Sequence, residues 1–260
     1  MPDSDKLIQL LANKAKLVAM VAPSFPIMYD PNEIVWKLKS IGFSYVVEVV
    51  VGAKETNRQA VEILKNNPNT RFITSPCPSF VRYMRTKHPD LLHHLSLEVD
   101  SPMVATAKII KTKWPNHQPV FIGPCLNKKL ESSQDHPDLN ILVLTYRELE
   151  IVFNQLLTDH SSLPAEVSFD LTEPTTRIYP IDGGLTDSSE AKNLLSSDQI
   201  KIVSGWENCE SAVQEFEQNK NIRLLDVLFC DGGCIMGPGI QSKLTLDERK
   251  EKIIGYARTP

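Results

Sequence analysis

The chain has 260 residues, of which 42% are hydrophobic and 23% charged, and its formal net charge is −4. Such a composition is typical of a globular protein with a substantial core, and it provides no basic surface for nucleic acid or for anionic membranes. No stretch approaches the roughly 20 apolar residues of a membrane span, and the N-terminal residues lack the apolar region of a secretory signal. We therefore expect a cytoplasmic protein with neither nucleic acid nor membrane as a partner.

Apolar runs typical of strands alternate with segments of helical periodicity along the chain. Strands are predicted at residues 16–22, 45–51, 71–75, 120–123, 141–144, 200–203 and 224–229. Helices are predicted at residues 30–40, 53–66, 80–87, 103–113, 145–157, 207–218 and 245–256. This alternation predicts an α/β fold with parallel sheets flanked by helices.

Several helix starts carry their own signals. Asp30 is a candidate N-cap ahead of Pro31, and the helices at 145 and 245 begin with a Thr-x-x-Glu capping box. The polar segment 160–176 contains two prolines and is the predicted boundary. It divides the chain into an N-terminal lobe, residues 1–160, and a C-terminal lobe, residues 161–260.

The five cysteines are too few, and odd in number, for a disulfide framework, so metal or redox chemistry is the better use for a group of them. Cys77, Cys125 and Cys230 each follow a predicted strand, and Cys234 comes four residues after Cys230. In open parallel sheets, ligands bind beyond the carboxyl ends of the strands. Cys209 lies inside a helical pattern and is interpreted as an ordinary core or surface cysteine.

The residues beside these four cysteines favour a cluster. Prolines stiffen the chain around Cys77 and Cys125, and glycines surround Cys230 and Cys234, where they leave N–H groups exposed for a bulky anion. Structural zinc sites usually use tight two-cysteine knuckles, whereas two of these cysteines are isolated in sequence. The spacing therefore favours an iron–sulfur cluster, with zinc and unrelated thiols as the alternatives.

Three segments together carry a family pattern: "TSPCP" at 74–78, "GPCLNKKLE" at 123–131 and "CDGGCIMGPG" at 230–239. "SPM" at 101–103, "VLTYREL" at 143–149 and "GGL" at 183–185 agree with it. In these motifs the chain resembles the C-terminal large-subunit domain of [FeFe]-hydrogenases, from about residue 16 to residue 240. The resemblance implies a fold of two lobes, each a parallel sheet flanked by helices, with the metal cluster in the cleft between them.

The resemblance also implies a ligand set. A [4Fe–4S] cubane would be held by Cys77, Cys125, Cys230 and Cys234. In catalytic members the last of these cysteines also bridges to a di-iron unit with CO and cyanide ligands, the two parts forming the H-cluster. Lys128 matches the lysine that donates to a cyanide, and Ser101 and Pro102 match residues that line the di-iron pocket.

The chain departs from catalytic members where protons are delivered. The cysteine that relays protons corresponds to Pro76, and the relay serine corresponds to Leu97. The two relay carboxylates fall near Ala60 and Ile63, with Glu62 one residue away from the second. Since a proton path needs groups that titrate or hydrogen-bond in series, the alignment predicts that this path is missing. Four further pocket residues of the family are replaced, at Gly123, Leu228, Met103 and Pro238.

The pattern is most similar to the sensory or regulatory branch of the family. It implies an iron–sulfur protein that senses hydrogen or redox state, with slow or no hydrogen turnover. The alternatives are a working hydrogenase, 2H⁺ + 2e⁻ ⇌ H₂, with another proton path, and a non-catalytic iron–sulfur scaffold or assembly protein. No ferredoxin-type Cys-x-x-Cys-x-x-Cys segment is present, so a ferredoxin-type electron-transfer protein or domain is the expected partner, with a signalling partner as a further expectation.

Overall fold

The computed structural model describes residues 1–157 and 167–259, and its strands form two parallel sheets. The strands are β1 (Leu17–Val21), β2 (Tyr45–Glu48), β3 (Phe72–Ile73), β4 (Gln118–Gly123), β5 (Leu142–Thr145), β6 (Ile200–Ser204) and β7 (Leu224–Leu228). One sheet has the order β2-β1-β4-β5 and the other the order β3-β7-β6. The expected α/β architecture with parallel sheets is therefore confirmed.

Helices connect the strands and cover the sheets. They are α1 (Asp3–Ala12), α2 (Pro31–Ser40), α3 (Val50–Asn66), α4 (Pro78–Lys87), α5 (Pro102–Lys113), α6 (Lys128–Leu130), α7 (Tyr146–Leu156), α8 (Gly184–Ser188), α9 (Ala191–Leu194), α10 (Trp206–Gln218) and α11 (Leu246–Ala257). None of the helices within the described residues is long and apolar enough to cross a bilayer.

The four-stranded sheet is buried on both faces, and this explains its continuous apolar strands. Every residue of β1 is buried, and the strand is paired in parallel on both sides, with Val18 opposite Tyr45 and Leu17 opposite Gln118. One face packs against α1, α2, α7 and α11, and the other against α5. The carboxyl ends of the two central strands, β1 and β4, therefore lie side by side.

The second sheet draws on distant parts of the chain. β3 pairs with β7 through Phe72 opposite Leu224, although about 150 residues separate the two strands. Residues on both sides of the predicted boundary therefore contribute to this sheet. Part of the predicted boundary, residues 158–166, lies outside the described residues. Beyond it, Leu171 forms a parallel bridge with Val47 at the edge of β2.

The predicted strand at 45–51 is too long. β2 ends at Glu48 and α3 begins at Val50, so the last part of the β-branched run is helical. The reason is tertiary packing: a Cβ on Gly52 would lie 2.2 Å from the main-chain oxygen of Pro102, so α3 lies directly against the start of α5. The helix starts marked by local signals agree with prediction, including the capping boxes at Thr145 and Thr245.

Candidate metal centre

The four predicted ligands all lie just beyond the carboxyl ends of strands. Cys77 follows β3 and is the N-cap residue of α4. Cys125 lies in the loop between β4 and α6, and Cys230 and Cys234 lie in the segment that follows β7. Cys77 is buried and the other three thiols are half-buried. Because β4 belongs to one sheet and β3 and β7 to the other, both sheets contribute cysteines to this region.

The thiols of Cys77, Cys230 and Cys234 have pKa values that are raised by burial and by neighbouring thiols. Burial raises the pKa of Cys77, and the neighbouring Cys125 adds to the effect. Burial, together with Cys77 and Cys125, raises the pKa of Cys230 to about 12. The pKa of Cys234 is also raised, first by burial and then by the other three thiols. The structure therefore brings all four cysteines into one region; their role as iron ligands stays a prediction.

The thiols do not meet at one point. Within residues 1–157 and 167–259, no three His, Cys, Asp or Glu side chains are arranged to hold a single metal ion. Four thiols are a soft donor set, suited to iron–sulfur clusters or zinc. A cubane is bound at its four corners, so its ligands surround a body wider than one ion.

The glycine-rich segment 230–240 crosses from the second sheet to the first, and we call it the crossing segment. Gly239 N donates to Pro124 O at 2.7 Å, and Arg147 N donates to Gly239 O at 3.2 Å. A Cβ on Gly239 would lie 2.8 Å from Pro124 O and 2.9 Å from the Cβ of Thr145. Gly239 therefore permits close contact between the crossing segment and the loop that holds Cys125. The sequence analysis predicted a different role for these glycines, the exposure of N–H groups to a bulky anion.

The crossing segment is also fixed from outside. Gly233 has a φ of +92°, a backbone conformation that residues with a side chain rarely adopt. It forms an antiparallel bridge with Ile181. Arg249, on α11, donates from Nη1 to Ile235 O at 2.8 Å. The positions of Cys230 and Cys234 are thus set by hydrogen bonds within the protein.

A small cavity of about 70 Å³ adjoins Cys125 and Cys234. Its walls are mostly apolar, and the described residues that line it include no carboxylate and no imidazole. They are Ala22, Pro23, Ser24, Val49, Ala53, Pro76, Pro102, Met103, Phe121, Pro124, Cys125, Lys128, Tyr179, Pro180, Leu228 and Cys234. Pro102, Lys128 and Cys234, which the resemblance associates with the di-iron unit, are among these lining residues.

Lys128 lies on the cavity wall and is buried. Its Nζ donates to Pro76 O at 3.2 Å and to Ser101 Oγ at 3.0 Å, and it lies 2.6 Å from Glu131 Oε2. Two of the ammonium hydrogens therefore have acceptors within the protein, and Glu131 supplies a neighbouring negative charge without a hydrogen bond to its Oε2.

The other predicted pocket residues separate into two groups. Pro102 lines the cavity, whereas Ser101 lies behind Lys128 and caps α5 by accepting from Val104 N. Leu97 is 48% exposed, and Glu62 faces solvent in an ion pair with Arg58. The positions aligned with the relay serine and with Glu62 thus place no proton donor at the cavity.

Cys209 is buried in an apolar cluster with Cys77 and Cys234. Burial, followed by the effects of Cys77 and Cys230, raises its pKa to about 12. Its Sγ lies 3.9 Å from Leu228 O. It sits on α10 rather than in a signature segment, and its surroundings are those of a core cysteine.

Two residues of the site are absent from the sequence-based predictions. Glu131 pairs with Lys128, and the Lys-x-x-Glu spacing in "KKLE" is a readable signal for such a pair on a helical turn. Tyr179 also lines the cavity, and its hydroxyl is buried. Its only signal is its position four residues ahead of the Gly183-Gly184 pair, and this does not indicate the direction of the side chain.

Comparisons with known proteins agree with these observations. Among curated proteins, a probable cytosolic Fe-S cluster assembly factor, oxy-4 of Caenorhabditis elegans, is 23% identical over 83% of this chain and 59% of its own length. The cytosolic Fe-S cluster assembly factor NAR1 of Kluyveromyces lactis is 33% identical over 58% of this chain and 40% of its own. Iron hydrogenase 1 of Clostridium pasteurianum is 23% identical over 80% of this chain and 45% of its own. The chain thus spans about two to three fifths of the length of these relatives.

Solved structures show the same fold. A variant of [FeFe]-hydrogenase HydA1 from Chlamydomonas reinhardtii superposes with a TM-score of 0.74 at 16% identity, covering 100% of this chain and 89% of that one. The match to iron only hydrogenase large subunit, C-terminal domain, extends over residues 15–238. Since this range includes the three signature segments up to Pro238, the chain belongs to the family formed by the C-terminal domains of iron-only hydrogenase large subunits.

Proposed function

We propose that this protein holds a [4Fe–4S] cluster with Cys77, Cys125, Cys230 and Cys234, and that it senses hydrogen or redox state with slow or no turnover of hydrogen. The observation that carries the first part is the convergence of four thiols from two sheets on one region. Burial disfavours thiolates there without cations, and iron binding would displace their protons. The chemistry that the cluster would supply is one-electron transfer.

The lining of the cavity supports the second part. Hydrogen turnover requires protons to reach and leave the metal, and general acids must lie within hydrogen-bond reach of the reacting site. Pro76 occupies the place of the relay cysteine, and no carboxylate or imidazole lines the described part of the cavity. A cluster in these surroundings can change its oxidation state more readily than it can exchange protons.

A non-catalytic role in iron–sulfur assembly is the second candidate. It is favoured by several curated relatives that are named as cytosolic Fe-S cluster assembly factors. Against it stands the burial of one ligand, because Cys77 is 7% exposed, whereas the other three thiols are half-buried. Transfer of a cluster requires an incoming thiol to reach the iron, so burial at Cys77 favours a protein that retains its cluster.

The test begins with anaerobic reconstitution of the protein with iron and sulfide. We expect about four irons and four sulfides per chain, and the cluster should stay bound when an excess of an apo-ferredoxin is added. Quantitative transfer to the acceptor would replace sensing by the assembly role. Failure to bind iron and sulfide together would refute the whole proposal.

Hydrogen chemistry is tested on protein that has been matured with the di-iron unit. Infrared bands of CO and cyanide report whether the unit is present, and hydrogen evolution from a reduced dye reports turnover. We expect slow turnover, with an increase in Pro76→Cys, because cysteine restores a titratable group at the cavity wall. Fast evolution by the unsubstituted protein would instead establish a working hydrogenase.

The surroundings of the protein in the cell are part of the same proposal. We propose a cytoplasmic location, which is supported by the relatives named as cytosolic, and a ferredoxin-type protein or domain as the source of electrons. A signalling partner would receive the output of the sensor. Co-purification from cytoplasm with such a protein, and reduction of the reconstituted cluster by a reduced ferredoxin, are the corresponding measurements.

A further inference from the structure

Arg249 is a buried cation whose charge the described residues leave unbalanced. It lies on α11 and is 7% exposed. Its guanidinium donates only to main-chain oxygens, from Nη1 to Ile235 O at 2.8 Å, from Nη2 to Ser242 O at 2.9 Å and from Nε to Leu244 O at 3.0 Å. Arginine is almost never buried without an anionic partner, because an uncompensated charge is costly to remove from water.

The nearest carboxylates along the chain do not supply this partner. Asp247 and Glu248 precede Arg249 in the first turn of α11, but both are exposed, and Glu248 is engaged in the capping box of the helix. Within residues 1–157 and 167–259, the guanidinium of Arg249 forms no ion pair. Arg177 differs in this respect, because it is buried against Glu48 at 3.2 Å. The charge of Arg249 therefore needs another explanation.

The oxygens that Arg249 binds belong to the part of the chain that carries Cys234. Ile235 follows Cys234 directly in the crossing segment, and the other two oxygens lie in its continuation towards α11. The guanidinium therefore fixes the main chain beside a predicted cluster ligand. Lys128, a second buried cation that is close enough to affect the pKa of Cys234, already has Glu131 at 2.6 Å as its counter-charge.

We propose that Arg249 is a positioning residue for the cluster, which holds the main chain at Cys234 and provides a positive charge that favours the reduced state. The inference rests on the proposed function, because it requires a cluster bound by the four thiols. A cubane with four thiolate ligands carries a net negative charge, and an added electron increases it. A nearby positive charge therefore stabilises the reduced state more than the oxidised state and raises the reduction potential.

The experiment measures the midpoint potential of the reconstituted protein and its variants by redox titration, followed by electron paramagnetic resonance. Arg249→Gln keeps a side chain that donates hydrogen bonds and removes the charge. We expect the equilibrium constant for reduction of the cluster to fall about tenfold, which moves the potential by about 59 mV to more negative values. Arg249→Lys keeps the charge but loses the planar fork of donors, and its potential should stay close to that of the unsubstituted protein.

Arg71→Gln is the matched control. Arg71 also donates to main-chain oxygens, those of Ile222, Phe216 and Asn219. It directly precedes β3, whereas Cys77 follows the other end of that strand. Removal of this charge should leave the potential of the cluster unchanged, so Arg71→Gln controls for the loss of an arginine that binds only main-chain oxygens.

A purely structural role for Arg249 predicts a different pattern, in which the potential does not depend on the charge. An unchanged potential in Arg249→Gln, equal potentials in Arg249→Gln and Arg249→Lys, or loss of the cluster from both variants would each overturn the proposal. Loss of the cluster from Arg249→Gln alone would support it, because the charge would then be required for binding. Iron and sulfide counts on the unsubstituted protein test the proposed cluster first, so the two failures are distinguishable.

Discussion

The buried ion pair of Lys128 and Glu131 provides the sharpest prediction. The two side chains are 10% and 8% exposed, and the nitrogen and oxygen are 2.6 Å apart. Exposed ion pairs contribute about 0–1 kcal/mol, whereas removing one partner of a buried pair costs about 3–5 kcal/mol, because the other charge is left buried and uncompensated. Lys128→Met preserves the length of the side chain and removes the charge. We therefore expect it to lower the free energy of unfolding by about 3–5 kcal/mol.

The assay is urea unfolding of the metal-free protein, followed by circular dichroism. Glu131→Met and the double variant complete a double-mutant cycle. The double variant should be destabilised by less than the sum of the two single variants, with a coupling energy of about 2 kcal/mol, since no isolated charge remains. Lys201→Met is the matched control, because Lys201 pairs with Glu215 at 2.8 Å with 39% and 46% exposure. It should change stability by no more than about 0.5 kcal/mol.

Two results would refute this reasoning. If Lys128→Met costs no more than Lys201→Met, the pair does not behave as a desolvated one. If the two single effects add within about 0.5 kcal/mol in the double variant, the charges are not coupled.

Three further predictions follow from the structure. Cys125→Ser should lower the iron and sulfide bound after reconstitution, whereas Cys209→Ser should leave both counts unchanged. Thr145→Ala removes the capping box of α7 and should lower the free energy of unfolding, measured in urea, by about 1 kcal/mol. Burial raises the pKa of Asp226, which accepts from the N–H and hydroxyl of Thr186. The stability that protonated Asp226 provides is fully present below the unfolded-state pKa of about 3.9 and is lost as pH rises through the higher folded-state value. Urea midpoints of Asp226→Asn should therefore exceed those of the unsubstituted protein by a margin that grows with pH in this window; a constant margin would contradict the assignment.

Features encoded locally could be predicted from the sequence. The capping boxes at Thr145 and Thr245 and the N-cap at Asp30 depend on residues within one helical turn, and all three are present. The end of β2 could not be predicted, because the run of valines fits a strand or a buried helix equally well. The choice is made by Gly52, which lies against Pro102 about 50 residues later in the chain.

The candidate site shows the same limit. The four cysteines could be selected from the sequence because three of them follow predicted strands and Cys234 lies in the same turn as Cys230. The structure brings them into one region, as that reasoning predicts. The pairing of β3 with β7 joins distant parts of the chain, so the sequence does not predict that Cys77 follows a strand of the second sheet. Tyr179 also lines the cavity, and no sequence pattern indicates the direction of its side chain.

The crossing segment has a mechanical consequence. Gly239 of this segment is hydrogen-bonded to Pro124, and Ile235 accepts a hydrogen bond from Arg249 of α11. The segment therefore connects the second sheet to the first sheet and to the C-terminal helix. A cluster bound by thiols from both sheets would be a second connection between the sheets, in addition to the crossing segment. Loss of such a cluster would leave the two sheets joined through the crossing segment and its hydrogen bond to α11, but without the additional constraint from the thiols.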